Sequence, residues 1–133
     1  MQNLAQIQLL VKLASIDGDV ADREKSYILN IGHANNIKPG DILPLFGKSK
    51  GEVIIPEGLT DEQRFNYIFS LVQLMKIDER LYQEEIKYCS LVAARLGYDQ
   101  RVMFDLMLHV SSIMGEAEVK ALQELTKKYL NKK

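Results

Sequence analysis

The sequence is short of the residues that staple or interrupt a fold. A single cysteine, Cys89, excludes an internal disulfide and fits a reducing compartment. Three prolines in 133 residues leave long stretches free of a helix breaker. No apolar run approaches the roughly 20 residues of a membrane span. The opening residues Met1, Gln2, Asn3, Leu4 and Ala5 lack the basic start and long apolar centre of a signal peptide. Charge of one sign is missing too: 17 Lys and Arg face 18 Asp and Glu, for a net charge of −1. That balance argues against a nucleic-acid or membrane-surface binder. With 47% hydrophobic residues, the chain is expected to form a cytoplasmic single domain, 1–133, around one packed core.

Apolar residues recur at three- and four-residue steps, which predicts an all-α fold of about seven helices. The spacing predicts helices over 3–16, 21–35, a short one after Pro39 to near Phe46, 61–77, 82–96, 100–113 and 116–131. Thr60 with Gln63 forms a capping pair at the fourth, Gly97 suits the end of the fifth, and Asp99 suits the start of the sixth. The fourth helix is apolar almost all round, as a buried helix is. Gly47, Gly51, Pro56 and Gly58 mark 47–59 as a loop.

An internal repeat organises the chain. Shifted by 61 residues, 4–37 aligns with 65–98, with eight identities in 34 pairs. Six are apolar or aromatic (Ile7/Ile68, Leu10/Leu71, Val11/Val72, Leu13/Leu74, Ile16/Ile77, Tyr27/Tyr88), as a core requires. Repeat one (4–37), an insertion (38–59), repeat two (61–98) and C-terminal helices (99–131) follow in order. Each repeat is a helix hairpin, and the two are expected to pair about a pseudo-twofold axis with the C-terminal helices as cover.

The other two identities, Asp17/Asp78 and Glu24/Glu85, are carboxylates that packing alone does not require. Two readings stand. A glutamate in the first helical turn favours the positive helix end and bonds the cap residue's N–H, while an aspartate closes the turn before it. Alternatively, Asp17, Asp19, Asp22 and Glu24 offer oxygen ligands for a divalent cation within eight positions, with Asp78 and Glu85 contributing. An EF-hand is excluded, because Asp22 stands where glycine belongs and Ile28 where the bidentate glutamate belongs. In the second hairpin Glu79 and Arg80 replace Gly18 and Asp19.

At Ile16-Asp17-Gly18-Asp19-Val20 with Glu24, Ile77-Asp78 with Glu85, and Leu96-Gly97-Tyr98, the sequence resembles the TerB-like family of tellurite-resistance proteins. The likeness covers roughly 4–110. It implies an all-helical module linked to tellurite resistance and wider stress responses, with an acidic surface suspected of binding metal, and relatives that act as interaction modules. Asp17, Gly18 and Glu24 match the family's motif, and Asp78 and Glu85 match by position. Glu79 in place of glycine, and the 38–59 insertion, depart from it.

Other chemistry is sparse. Phe46-Gly47-Lys48-Ser49 lacks the earlier glycine of a phosphate-binding loop, where Ile42 stands. Cys89, between apolar neighbours, reads as core rather than nucleophile. Asp105 and His109 share a helix face at i, i+4, yet His109 reads as an ordinary partly exposed histidine rather than a site residue. Met103, Phe104 and Met107 fill a core or form an apolar patch for a partner. The expected function is a non-catalytic stress-linked scaffold with an unidentified protein partner and a divalent metal ion of unknown identity. The alternatives are a metal-dependent hydrolase using the same carboxylates and a metal-free adaptor.

Overall fold

A computed structural model describes residues 2–16, 21–47, 55–77, 83–111 and 114–130. Among them stand seven α-helices and no strand: α1 (Gln2–Ala14), α2 (Asp22–Ala34), α3 (Pro39–Ile42), α4 (Asp61–Ile77), α5 (Gln83–Arg95), α6 (Val102–His109) and α7 (Glu116–Thr126). Tighter 3-10 turns over Leu43–Gly47 and Lys127–Tyr129 prolong α3 and α7. The fold is all-α, as the periodicity predicts. None of the described helices is long and apolar enough to cross a membrane. Two compact units divide the chain, Met1–Pro56 and Glu57–Lys133.

In the first unit α1 packs on α2, and α3 packs on α2. Ile7, Leu10, Val11 and Leu13 of α1, Ile28 of α2 and Ile42 of α3 are buried. Each such side chain contributes roughly 1.5–3 kcal/mol of transfer free energy. Gly32 permits the close approach of α3, because a β-carbon there would sit on Ile42 Cδ1.

In the second unit α4 packs on α5 and α6, and α6 packs on α5 and α7. Buried positions from Phe65 to Met75 wrap most of α4. Its start is closed reciprocally: Gln63 N–H donates to Thr60 Oγ1 at 3.1 Å, and Thr60 N–H donates to Gln63 Oε1 at 2.9 Å.

The repeat is visible in local geometry as well as in burial. α2 and α5 are both thirteen residues long and start 61 positions apart. Both end in a Schellman arrangement around a residue with positive φ, Asn36 (62°) and Gly97 (95°). Ile37 N–H donates to Gly32 O and Asn36 N–H to His33 O; Tyr98 N–H donates to Ala93 O and Gly97 N–H to Ala94 O. These four bonds match pair by pair across the 61-residue shift.

The C-terminal part departs from the predicted bounds. α6 stops at His109 instead of 113, because Val110 turns extended (φ −74°, ψ 132°). Side chains of α4 take up carbonyls there: Lys76 Nζ donates to Met107 O at 2.6 Å and Gln73 Nε2 to Ser111 O at 3.0 Å. α7 gives way to a 3-10 turn after Thr126, and Leu130 forms an antiparallel bridge with Tyr98.

Candidate functional site

Glu24 is the third residue of α2, whose cap position is Ala21, a residue with no side-chain acceptor. Glu24 Oε1 fills that gap by accepting the Ala21 N–H at 3.1 Å. The Glu24 N–H in turn donates to Ala21 O at 3.0 Å. The glutamate is only 7% exposed, which is unusual for a carboxylate and is compensated by that bond. A negative side chain at a helix N-terminus also meets the positive end of the helix dipole.

Glu85 occupies the same third position in α5 and is 5% exposed. One turn on, Cys89 is fully buried. Burial pushes its thiol up, and the charge of Glu85 adds to the effect. A thiol so held is a poor nucleophile, in line with its reading as a core residue.

Asp22 lies in the first turn of α2 and is exposed, whereas Glu24 is buried. Positions two apart on a helix point to different sides, so these two do not share a face. Asp17, Asp19 and Asp78 lie outside the described residues. Among the described residues no group of three or more His, Cys, Asp or Glu side chains is placed to hold a metal ion.

A second feature lies wholly in the second unit. Ile86 and Ser90 of α5, with Gln100, Arg101, Met103, Phe104, Met107 and Leu108 on and before α6, line a groove of about 640 Å³. Phe104 is 77% exposed and Leu108 75%. Met103, Phe104 and Met107 are the residues the sequence marks as core or apolar patch; Met103 is buried, and Phe104 faces solvent. Ile86, Ser90 and Leu108 escape sequence reasoning, since their place depends on α5 lying beside α6. An i, i+4 pair, Phe104 with Leu108, was the available signal.

The end of α6 near Arg101 is knitted by polar groups. Arg101 Nε and Nη2 donate to the two oxygens of Asp99 at 3.1 Å, and the Arg101 N–H donates to Asp99 Oδ1 at 2.9 Å. These bonds hold the Asp99 carboxyl below its usual range and the guanidinium above its own. Asp99 thus closes its turn two residues on rather than capping α6 at its first residue. Asp105 accepts a hydrogen bond from the Tyr129 hydroxyl at 2.7 Å, which pushes that phenol up. His109, on the same face as Asp105, is exposed.

Comparison of the chain with protein-family models, curated proteins and solved structures finds no match.

Proposed function

We propose that this chain is a non-catalytic, cytoplasmic interaction module of TerB-like type, serving tellurite resistance or a general stress response as a scaffold for a protein partner. The observation that carries the reading is the duplicated hairpin end. Glu24 and Glu85 are both buried in the first turn of equal-length helices whose C-termini close by matched Schellman bonds. Glu24 and Glu85 belong to the two duplicated motifs that carry the family resemblance, with Asp17 and Asp78. Glu24 serves the scaffold by fixing the start of α2.

A divalent cation belongs to the proposal as an occupant of the carboxylates Asp17, Asp19 and Glu24 and, in the second repeat, Asp78 and Glu85; exposed Asp22, on another side of α2 from Glu24, is left out. Calorimetric titration of chelator-treated protein with calcium, manganese and zinc tests it, beside an Asp17→Asn/Glu24→Gln double variant. Uptake by the parent that the variant loses supports the cation. No uptake by a folded parent removes it and leaves a metal-free adaptor. Turnover of a phosphoester that vanishes with Glu24→Gln would replace the scaffold with a metal-dependent hydrolase.

A further inference from the structure

We propose that Met107 is a reversible oxidation site: peroxide converts its thioether to the sulfoxide in the native protein, and the sulfoxide frees the end of α6. The inference rests on the α5–α6 groove and on the ties of α6, and is independent of the cation and stress readings. The sulfurs of this chain differ in access. Cys89 is fully buried and keeps its proton, so the residue type that usually senses oxidants is closed to them here. Met75 is 1% exposed, and Met103, on the groove, is 6% exposed. Met107 is half-buried and lines the same groove of about 640 Å³, whose α6 wall stands in solvent at Phe104 and Leu108. Met114, also half-buried, stands before α7 and outside the groove. Oxidation follows exposure, so Met107 is within reach of peroxide where Met75 and Met103 are not.

The step is a two-electron oxygen transfer. A lone pair of Met107 Sδ attacks one peroxide oxygen, the O–O bond breaks, and the other oxygen leaves as water. Sulfur is oxidised and hydrogen peroxide is reduced. Return to the thioether takes two electrons from the thiols of a methionine sulfoxide reductase and releases water. Neither direction needs a base from this chain, and the single charged lining residue, Arg101, is already paired with Asp99.

Met107 has a second tie, which gives its oxidation a consequence. Its carbonyl oxygen accepts the Lys76 Nζ hydrogen bond at 2.6 Å, one of the two bonds by which α4 holds the end of α6. With eight residues α6 is too short to be stable alone, and it depends on those bonds and on packing against α5. A sulfoxide is a polar acceptor on what was an apolar side chain. Kept in the groove with Ile86 and Leu108, it gives up water for apolar walls. Swung out to stay hydrated, it leaves the α5 wall. Either way the seat of Met107 weakens, and the carbonyl that Lys76 holds moves with it.

Hydrogen peroxide added to the native protein, followed by peptide mass spectrometry over time, reads the order of reaction. Met107 is expected to gain one oxygen at least about tenfold faster than Met75 or Met103. The oxidised parent is expected to melt about 3–6 °C lower, and a methionine sulfoxide reductase to restore it. Met107→Leu, which keeps an apolar side chain and still carries Met1 and Met114, is expected to lose that drop. Met114→Leu is expected to keep it. Amide shifts on oxidation of the parent, reaching Lys76 and 107–111, locate the change without any substitution. Met107 reacting no faster than Met75 overturns the proposal, as do shifts that leave Lys76 and 107–111 unmoved. So does an oxidised parent that melts unchanged or higher, as a sulfoxide bonded to the Ser90 hydroxyl would make it. A drop that Met107→Leu retains, or that Met114→Leu abolishes, overturns it too.

Discussion

Glu24 does for α2 what a serine or aspartate at the cap position does for most helices, from three residues inside. Its replacement by alanine leaves the Ala21 N–H without its acceptor in a part-buried place. Glu24→Ala is expected to lower stability by about 1–2 kcal/mol in urea unfolding. Glu24→Gln keeps an accepting oxygen and is expected to cost less than half as much. An equal loss from both would show that charge, not the bond, is what matters. At the other end of the same helix, Asn36 sits at a φ of 62°, where Gly97 stands in the second repeat. Asparagine tolerates this region but glycine enters it freely. Asn36→Gly is accordingly expected to stabilise by about 0.5 kcal/mol, and Gly97→Ala to destabilise by about 1–2 kcal/mol. The alanine β-carbon would also lie 3.3 Å from Arg64 Nη1. Opposite signs at two positions that correspond by the repeat give thermal melts a direct check.

Among the elements, α6 depends most on its neighbours. Two α4 side chains hold one carbonyl in its last turn and one just past its end, and the strap Lys127–Leu130 returns to the residues before its start. There Asp99 N–H donates to Tyr129 O at 2.6 Å, the Tyr129 hydroxyl reaches Asp105, and Leu130 is buried. Tyr129→Phe is expected to cost about 1 kcal/mol in urea unfolding. Deleting 127–133 removes the bridge and the buried leucine together and is expected to cost roughly 2–4 kcal/mol. An identical loss from both changes would place the whole effect in the hydroxyl. The same dependence explains what the sequence could show of each element. α2 and α5, predicted over 21–35 and 82–96, run over 22–34 and 83–95, because periodicity and local end signals decide them. α6 and α7 end early for tertiary reasons: Lys76, Gln73 and Tyr98 lie 31 or more residues away along the chain. The matched Schellman ends also went unread, since Asn36 and Gly97 count as a mismatch by identity although both accept positive φ.

Over the whole molecule, five of the six tyrosines are held neutral by the fold. Burial pushes up the phenols of Tyr27, Tyr67, Tyr88 and Tyr98, and the hydrogen bond to Asp105 pushes up Tyr129. Each folded value lies above the ordinary 10.0, so the folded state binds protons that the unfolded chain releases. Their contribution to stability is complete below pH 10.0 and is lost as pH rises through the folded values. Phenolate absorbance from these five is expected to appear together with loss of helical circular dichroism. Gradual ionisation near pH 10.0 with the helices intact would contradict this. At this scale, the fold class was fully legible, because helix periodicity and an internal repeat survive in a single sequence. Much less of the site was. Glu24 and Glu85 stood out by their duplication, yet their burial did not, since it depends on what packs over the first turn. Asp22 stands two residues from Glu24 but is exposed, and Gln83 at its repeat position already sets it apart from the duplicated glutamates. The groove was half visible, as Met103, Phe104 and Met107 without the α5 wall.

Cys89 stands where the first repeat has Ile28, sealed in α5 with its proton retained by burial. It is therefore a built-in clock for opening of the second unit. A thiol reagent in excess finds no thiolate until α5 breathes, so the labelling rate becomes the frequency of that breathing. Labelling much slower than that of a short cysteine peptide, and accelerated in step by Gly97→Ala at the end of the same helix, is the expected record. Labelling as fast as the peptide would mean that the seal around Cys89 is open in the native state.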